Sequence, residues 1–90
     1  MLLVAVYFDW KGTNEELKDY EEKIKKACSE TEDIEYKGLY APHQRKYHWV
    51  RYLKVKDYWK WMSHMNSKGP PRDRKKLTHS QIEVFTKSQP

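Results

Sequence analysis

"KYHWVRYLKVKDYWKWM", residues 46–62, interleaves aromatic and basic side chains throughout, and its hydrophobic period changes part-way. Over 47–55 the alternation suits a β-strand, whose successive side chains point to opposite faces. At Asp57 the pattern changes. Asp57 is a good N-cap, and Tyr58, Trp61, Met62 and Met65 follow at i, i+3, i+4 and i+7, which predicts a short helix to about Met65. The stretch is therefore a strand feeding a helix, each with two faces, and most of its aromatics are packing residues.

Ahead of it, "IEYKGLY" (34–40) sets Ile34, Tyr36 and Tyr40 against Glu35 and Lys37, a second strand joined to the first by "APHQRK" as a hairpin. Earlier still, "TNEE" offers Thr13 as a cap with Glu16 placed for a capping box. Leu17, Tyr20, Ile24, Ala27 and Cys28 then recur at helical spacing to about Glu30, with Lys18, Glu22, Lys25 and Lys26 opposite. Residues 2–10 are apolar on both faces, which suits a central strand, and Gly12 breaks it. After the short helix, "NSKGPPRDRKKLTH" reads as a basic loop at about 66–79, and "QIEVFT" as a closing strand.

The order is β-α-β-β-α-β, the split βαβ or ferredoxin-like pattern. It predicts an α+β fold: a four-stranded antiparallel sheet in strand order 4-1-3-2 with both helices on one face. With Leu2, Val4, Val6 and Phe8 under the helices, Ile34, Tyr36, Tyr40, Ile82 and Val84 join them. Placing Val50 and Tyr52 there as well keeps the Arg51 charge out of the core, where an unpaired charge is expensive. The open face then carries Tyr7, Asp9, Glu35, Lys37, Trp49, Arg51, Leu53, Glu83 and Phe85. The opposite phase of the third strand gains Leu53 and Val55 but buries Arg51. The first phase is the one expected.

Ninety residues make a single domain, 1–90, with a small core that a second copy would help to stabilise. Eighteen Lys and Arg against 13 Asp and Glu give a net charge of +5, which suits an anionic partner and equally a solvated surface. "MLLVAVYFDW" is too short for a membrane span and lacks the features of a signal peptide. The single cysteine, Cys28, excludes an intrachain disulfide and fits a reducing cytoplasm. It lies on the apolar stripe of its helix, as a buried small hydrophobe does. A soluble cytoplasmic protein is expected.

His43, His48, His64 and His79 show no close metal-ligand spacing, so no metal is expected, and no cofactor motif is present. There is no Ser/His/Asp order or Gly-rich phosphate loop, and whether the chain is an enzyme is left undecided by the sequence. On the expected open face, Arg51 meets Asp9 and Glu83, either as an interface ion pair or as an anchor for an anionic group, with Tyr7 and Trp49 as apolar walls. Trp49, Leu53 and Phe85 form an exposed apolar patch, read as a dimer interface. In the basic loop, Lys68, Arg72, Arg74, Lys75 and Lys76 face one acid, Asp73, and supply the nucleic-acid alternative over 68–76. "KGLYA" begins like an RNA-recognition run, but on the second strand, and then departs from it.

The element order and the aromatic third strand, "YHWVRYLKV" leading into "DYWKWM", resemble the dimeric α/β-barrel group of ferredoxin-like proteins, which includes antibiotic-biosynthesis monooxygenase-like and stress-responsive members. The resemblance covers nearly the whole chain at the level of pattern. It implies two sheets paired face to face, with a cleft between sheet and helices or between sheets. The function expected is a homodimer that binds a small aromatic or anionic molecule in a cleft at the sheet face. The alternatives are nucleic-acid binding through the basic loop and an assembly protein with no ligand site.

Overall fold

The computed structural model describes residues 1–44 and 46–86; Arg45, in the expected hairpin linker, and residues 87–90 lie outside the described residues. Six elements follow in the expected order: β1 (Leu2–Trp10), α1 (Asn14–Ser29), β2 (Ile34–Tyr40), β3 (Trp49–Val55), α2 (Tyr58–Lys68) and β4 (Leu77–Phe85). They form one antiparallel sheet in the order β2-β3-β1-β4, with residues of both helices in the core it supports. The fold is the ferredoxin-like α+β arrangement.

The helix caps are those the sequence announces. Thr13 Oγ1 accepts from the Glu16 N–H at 3.1 Å while Glu16 Oε1 accepts from the Thr13 N–H at 3.0 Å, a reciprocal capping box. The hydrogen bond and charge of Lys76, together with the box itself, hold the Glu16 carboxyl down at about 2. Asp57 Oδ1 caps α2 by accepting from the Lys60 N–H at 2.9 Å. α2 runs past Met65 to Lys68, and Gly69 with two prolines ends it. β4 begins at Leu77, inside the stretch read as loop, because that residue pairs with Trp10 and is buried.

The phase of β3 is the opposite of the one expected. Leu2 pairs with Val55, Val4 with Leu53, Val6 with Arg51 and Phe8 with Trp49, so Trp49, Arg51, Leu53 and Val55 face the helices. Val50 and Tyr52 lie on the open face. Arg51 is 6% exposed and Glu21 of α1 is 6% exposed, and the two meet. Arg51 Nε donates to both Glu21 oxygens at 2.9 Å, and Nη2 donates to Oε1 at 2.5 Å. The Tyr36 hydroxyl donates to Glu21 Oε2 at 2.7 Å, and the guanidinium sits 4.9 Å from the centroid of the Phe8 ring. Burial, reinforced by that hydrogen bond, pushes the Tyr36 hydroxyl's pKa well up, so it remains a donor. The charge that the sequence argued out of the core is thus paired within it, and Leu53 and Val55 are gained, at 1% and 0% exposure.

A second correction concerns Tyr40. The β2–β3 register shifts between Tyr36 and Gly38, and Gly38 has φ +128°, a backbone conformation that strongly favours glycine. Beyond this bulge Leu39 pairs with Arg51 and turns under the helices, while Tyr40 pairs with Val50 on the open face, 53% exposed.

The phase has a direct test. Leu53→Asp buries a carboxylate with no partner and is expected to cost upwards of about 4 kcal/mol, whereas Tyr52→Asp, on the open face, is expected to cost about 1 kcal/mol. Denaturant unfolding of the two variants measures the difference, and the reverse order would restore the other phase.

Candidate functional site

With β3 in this phase, tyrosines from three parts of the chain share the open face: Tyr7 from β1, Tyr52 from β3, and Tyr47 from the segment entering β3. They wall a concavity of about 490 Å³ whose rim includes His43 and Lys46 and whose β4 side is Gln81 and Glu83. Tyr7 and Tyr47 lie with ring centroids 5.8 Å apart, and Tyr52 stands 5.8 Å from Tyr40. The Tyr7 hydroxyl donates to Glu83 Oε1 at 3.4 Å, and that of Tyr47 donates to Gln81 Oε1 at 2.9 Å. Lys46 Nζ lies 5.8 Å from the Tyr47 centroid. Beneath this layer Ala5 and Val50, cross-strand neighbours of Tyr52 and Tyr40, are buried on the open face as well.

Desolvation, followed by the neighbouring Tyr52 and Glu83, raises the Tyr7 pKa. Tyr7 therefore holds its proton and acts as a donor. Aromatic faces, one carboxylate and one ammonium are suited to holding a planar molecule with polar edges.

Of Tyr7, Asp9, Trp49, Arg51 and Glu83, the structure brings only Tyr7 and Glu83 together in this concavity. Trp49 and Arg51 are on the other side of the sheet, and the Arg51 guanidinium is committed to Glu21. Asp9 fastens the start of β3 instead: its Oδ1 accepts from the His48 N–H at 2.9 Å, and its Oδ2 lies 3.4 Å from His79 Nδ1. The Trp49, Leu53 and Phe85 patch does not form, because Leu53 is sealed under the helices and Trp49 points the same way. Tyr47, Tyr52, Gln81, His43 and Lys46 border the concavity without having been singled out for it in the sequence. Tyr52 follows from the phase of β3, and Gln81 from its place two residues before Glu83 on the same face.

A second opening, of about 440 Å³, lies on the helix side between α2 and the β1–β4 half of the sheet. It is lined chiefly by apolar residues such as Val6, Met62, Met65 and Ile82, with Arg72 as its accessible cation. Arg72 Nη2 donates to Ser80 Oγ at 2.9 Å.

The basic loop is partly neutralised from within. Asp73 Oδ1 accepts from the Lys75 and Lys76 N–H groups at 3.1 Å each, and Lys76 Nζ pairs with Glu16 and lies 3.8 Å from Asp73. Lys68, Arg72, Arg74 and Lys75 are exposed. His64 Nε2 lies 2.7 Å from the Ala27 carbonyl, to which it donates, tying α2 to the end of α1. Among the described residues no group of three or more His, Cys, Asp or Glu is placed to hold a metal ion, and no helix is long and apolar enough to cross a membrane.

Comparison with known families, with curated proteins and with solved structures finds no match in any of the three.

Cys28 is 1% exposed, and burial pushes its thiol up to about 11. Because the thiolate is the nucleophile, labelling of the native protein by a thiol reagent at neutral pH is expected to be slow and to accelerate on unfolding. Rapid labelling of the folded protein would contradict this placement.

Proposed function

We propose that the chain binds a small aromatic molecule bearing an anionic group in the tyrosine-walled concavity of the open sheet face. The observation that carries the reading is the convergence of Tyr7, Tyr47 and Tyr52 around one hollow, with Gln81 and Glu83 on one side and Lys46 and His43 at the rim. An aromatic body packs against the rings, with each well-placed aromatic pair worth about 0.5–1.5 kcal/mol. Glu83 and Gln81 meet polar hydrogens at its edge, and Lys46 and His43 face its acidic group. The proposed activity is binding: Tyr7 keeps its proton and the one thiol is buried away from the hollow.

A nucleic-acid partner is less well supported. The open face mixes Lys54 and Lys46 with Glu83 and Glu35, and so lacks the concentrated positive charge that tracks a phosphate backbone. In the basic loop, Lys76 is held by its own acids.

The test is a titration with aromatic carboxylates and nucleoside monophosphates, followed by amide chemical shifts. Saturable shifts are expected at Tyr7, Tyr47, Tyr52 and Glu83, and Tyr7→Ala is expected to weaken binding roughly 3- to 10-fold, as the loss of one aromatic contact implies. Shifts confined to Arg72–Lys76, or to Met62 and Met65 on the helix side, would move the site elsewhere. An absence of saturable binding at millimolar probe would reject the proposal.

A further inference from the structure

Three large apolar side chains are left exposed close together along β4. This strand is an edge of the sheet, and Ile82, Val84 and Phe85 are 39%, 38% and 41% exposed. Ile82 and Val84 face the helix side, but α1 packs over the far edge, against β2, and leaves them open. Phe85 lies on the open face. From Ser80 to Phe85 the pairing with β1 is regular, so the outer edge presents a straight row of backbone N–H and C=O groups. Residues 77–85 contain no Lys, Arg or Pro, and Glu83 is the one carboxylate among the side chains that could guard such an edge. The opposite edge is guarded: β2 carries the Gly38 bulge and the Glu35–Lys37 ion pair.

We infer that β4 pairs antiparallel with β4 of a second copy about a two-fold axis through Ile82, joining two four-stranded sheets into one of eight strands. A two-fold interface must be self-complementary, and this register is. Ile82 meets Ile82 of the second copy, and Val84 lies against its Ser80. Gln81 lies against its Glu83, and the side chains are prepared for that meeting. Gln81 uses its Oε1 on Tyr47, which leaves its amide N–H groups to donate; Glu83 uses its Oε1 on Tyr7, which leaves Oε2 to accept. The axis brings donor and acceptor together twice. A register centred on Glu83 opposes two carboxylates, which is destabilising. One centred on Gln81 loses the Ile82 pair and draws in the irregular segment between Leu77 and Ser80, where the β1 register shifts.

A second copy along the edge also leaves both tyrosine concavities open, whereas face-to-face packing of the sheets covers them. Because Gln81 and Glu83 border the concavity, the second copy's Glu83 and Gln81 come to its rim. The pairing itself does not rest on the ligand reading and is tested without any ligand.

Sedimentation equilibrium of the full chain at tens of micromolar is expected to give the mass of a dimer, and Ile82→Lys that of a monomer with an unchanged circular dichroism spectrum. Directly opposed Cα atoms in an antiparallel pair are about 4.5–5.5 Å apart, within the range of a disulfide. Ile82→Cys is therefore expected to cross-link between copies under mild oxidation, and Tyr52→Cys is not. A monomeric wild-type protein, a dimer that survives Ile82→Lys, or cross-linking through Cys at position 52 instead of 82 would each overturn the inference.

Discussion

One ion pair decides which way the third strand faces. Arg51 on β3 and Glu21 on α1 are both buried, with hydrogen bonds joining them and Tyr36 completing the carboxylate's shell. Side chains on a strand alternate with a period of two, so fixing Arg51 under the helices fixes every other residue of β3. Leu53 and Val55 go inward with it, and Val50 and Tyr52 go outward. The tyrosine concavity is a consequence of that choice: with β3 in the other phase, Tyr52 would be under the helices and the open face would carry Trp49, Arg51 and Leu53.

Much of this architecture was legible in the residues. The change of period at Asp57, the Thr13–Glu16 capping box and the Gly-Pro-Pro stop are local signals, and local signals survive folding. The errors were non-local. Arg51 was excluded from the core because its partner lies 30 residues earlier on another element. There was a trace of it: Leu17, Glu21, Ile24 and Cys28 fall at i, i+4, i+7 and i+11, so a carboxylate sits inside the apolar stripe of α1. An acid in such a stripe and a base in a strand that must face it are one feature seen in two places. Gly38 is a similar case, since an isolated glycine within a strand marks a bulge, and the bulge turned Tyr40 outward.

The candidate site was half legible for the same reason. Tyr7 and Glu83 are on strands whose phase was read correctly, and they meet in the concavity. Trp49 and Arg51 belong to the strand whose phase was not. The remaining wall comes from Tyr47, which the alternation placed in the strand but which lies just ahead of it, held near β1 by the Asp9–His48 contact. The protein thus differs by face: the buried charges tie α1 to the sheet, the tyrosines furnish a hollow on the other side, and β4 forms an edge with exposed apolar residues.

The account depends most directly on Glu21 and Arg51 acting as a mutually compensating pair. A double-mutant cycle of Glu21→Leu, Arg51→Met and the combined variant, measured by denaturant unfolding, tests it. Each single change strands a buried charge and is expected to cost about 3–5 kcal/mol, while the double variant, with apolar groups in both places, is expected to be far less destabilised than the sum. Two small and strictly additive losses would show that the charges do not meet in the core, and the phase of β3 derived from them would fall.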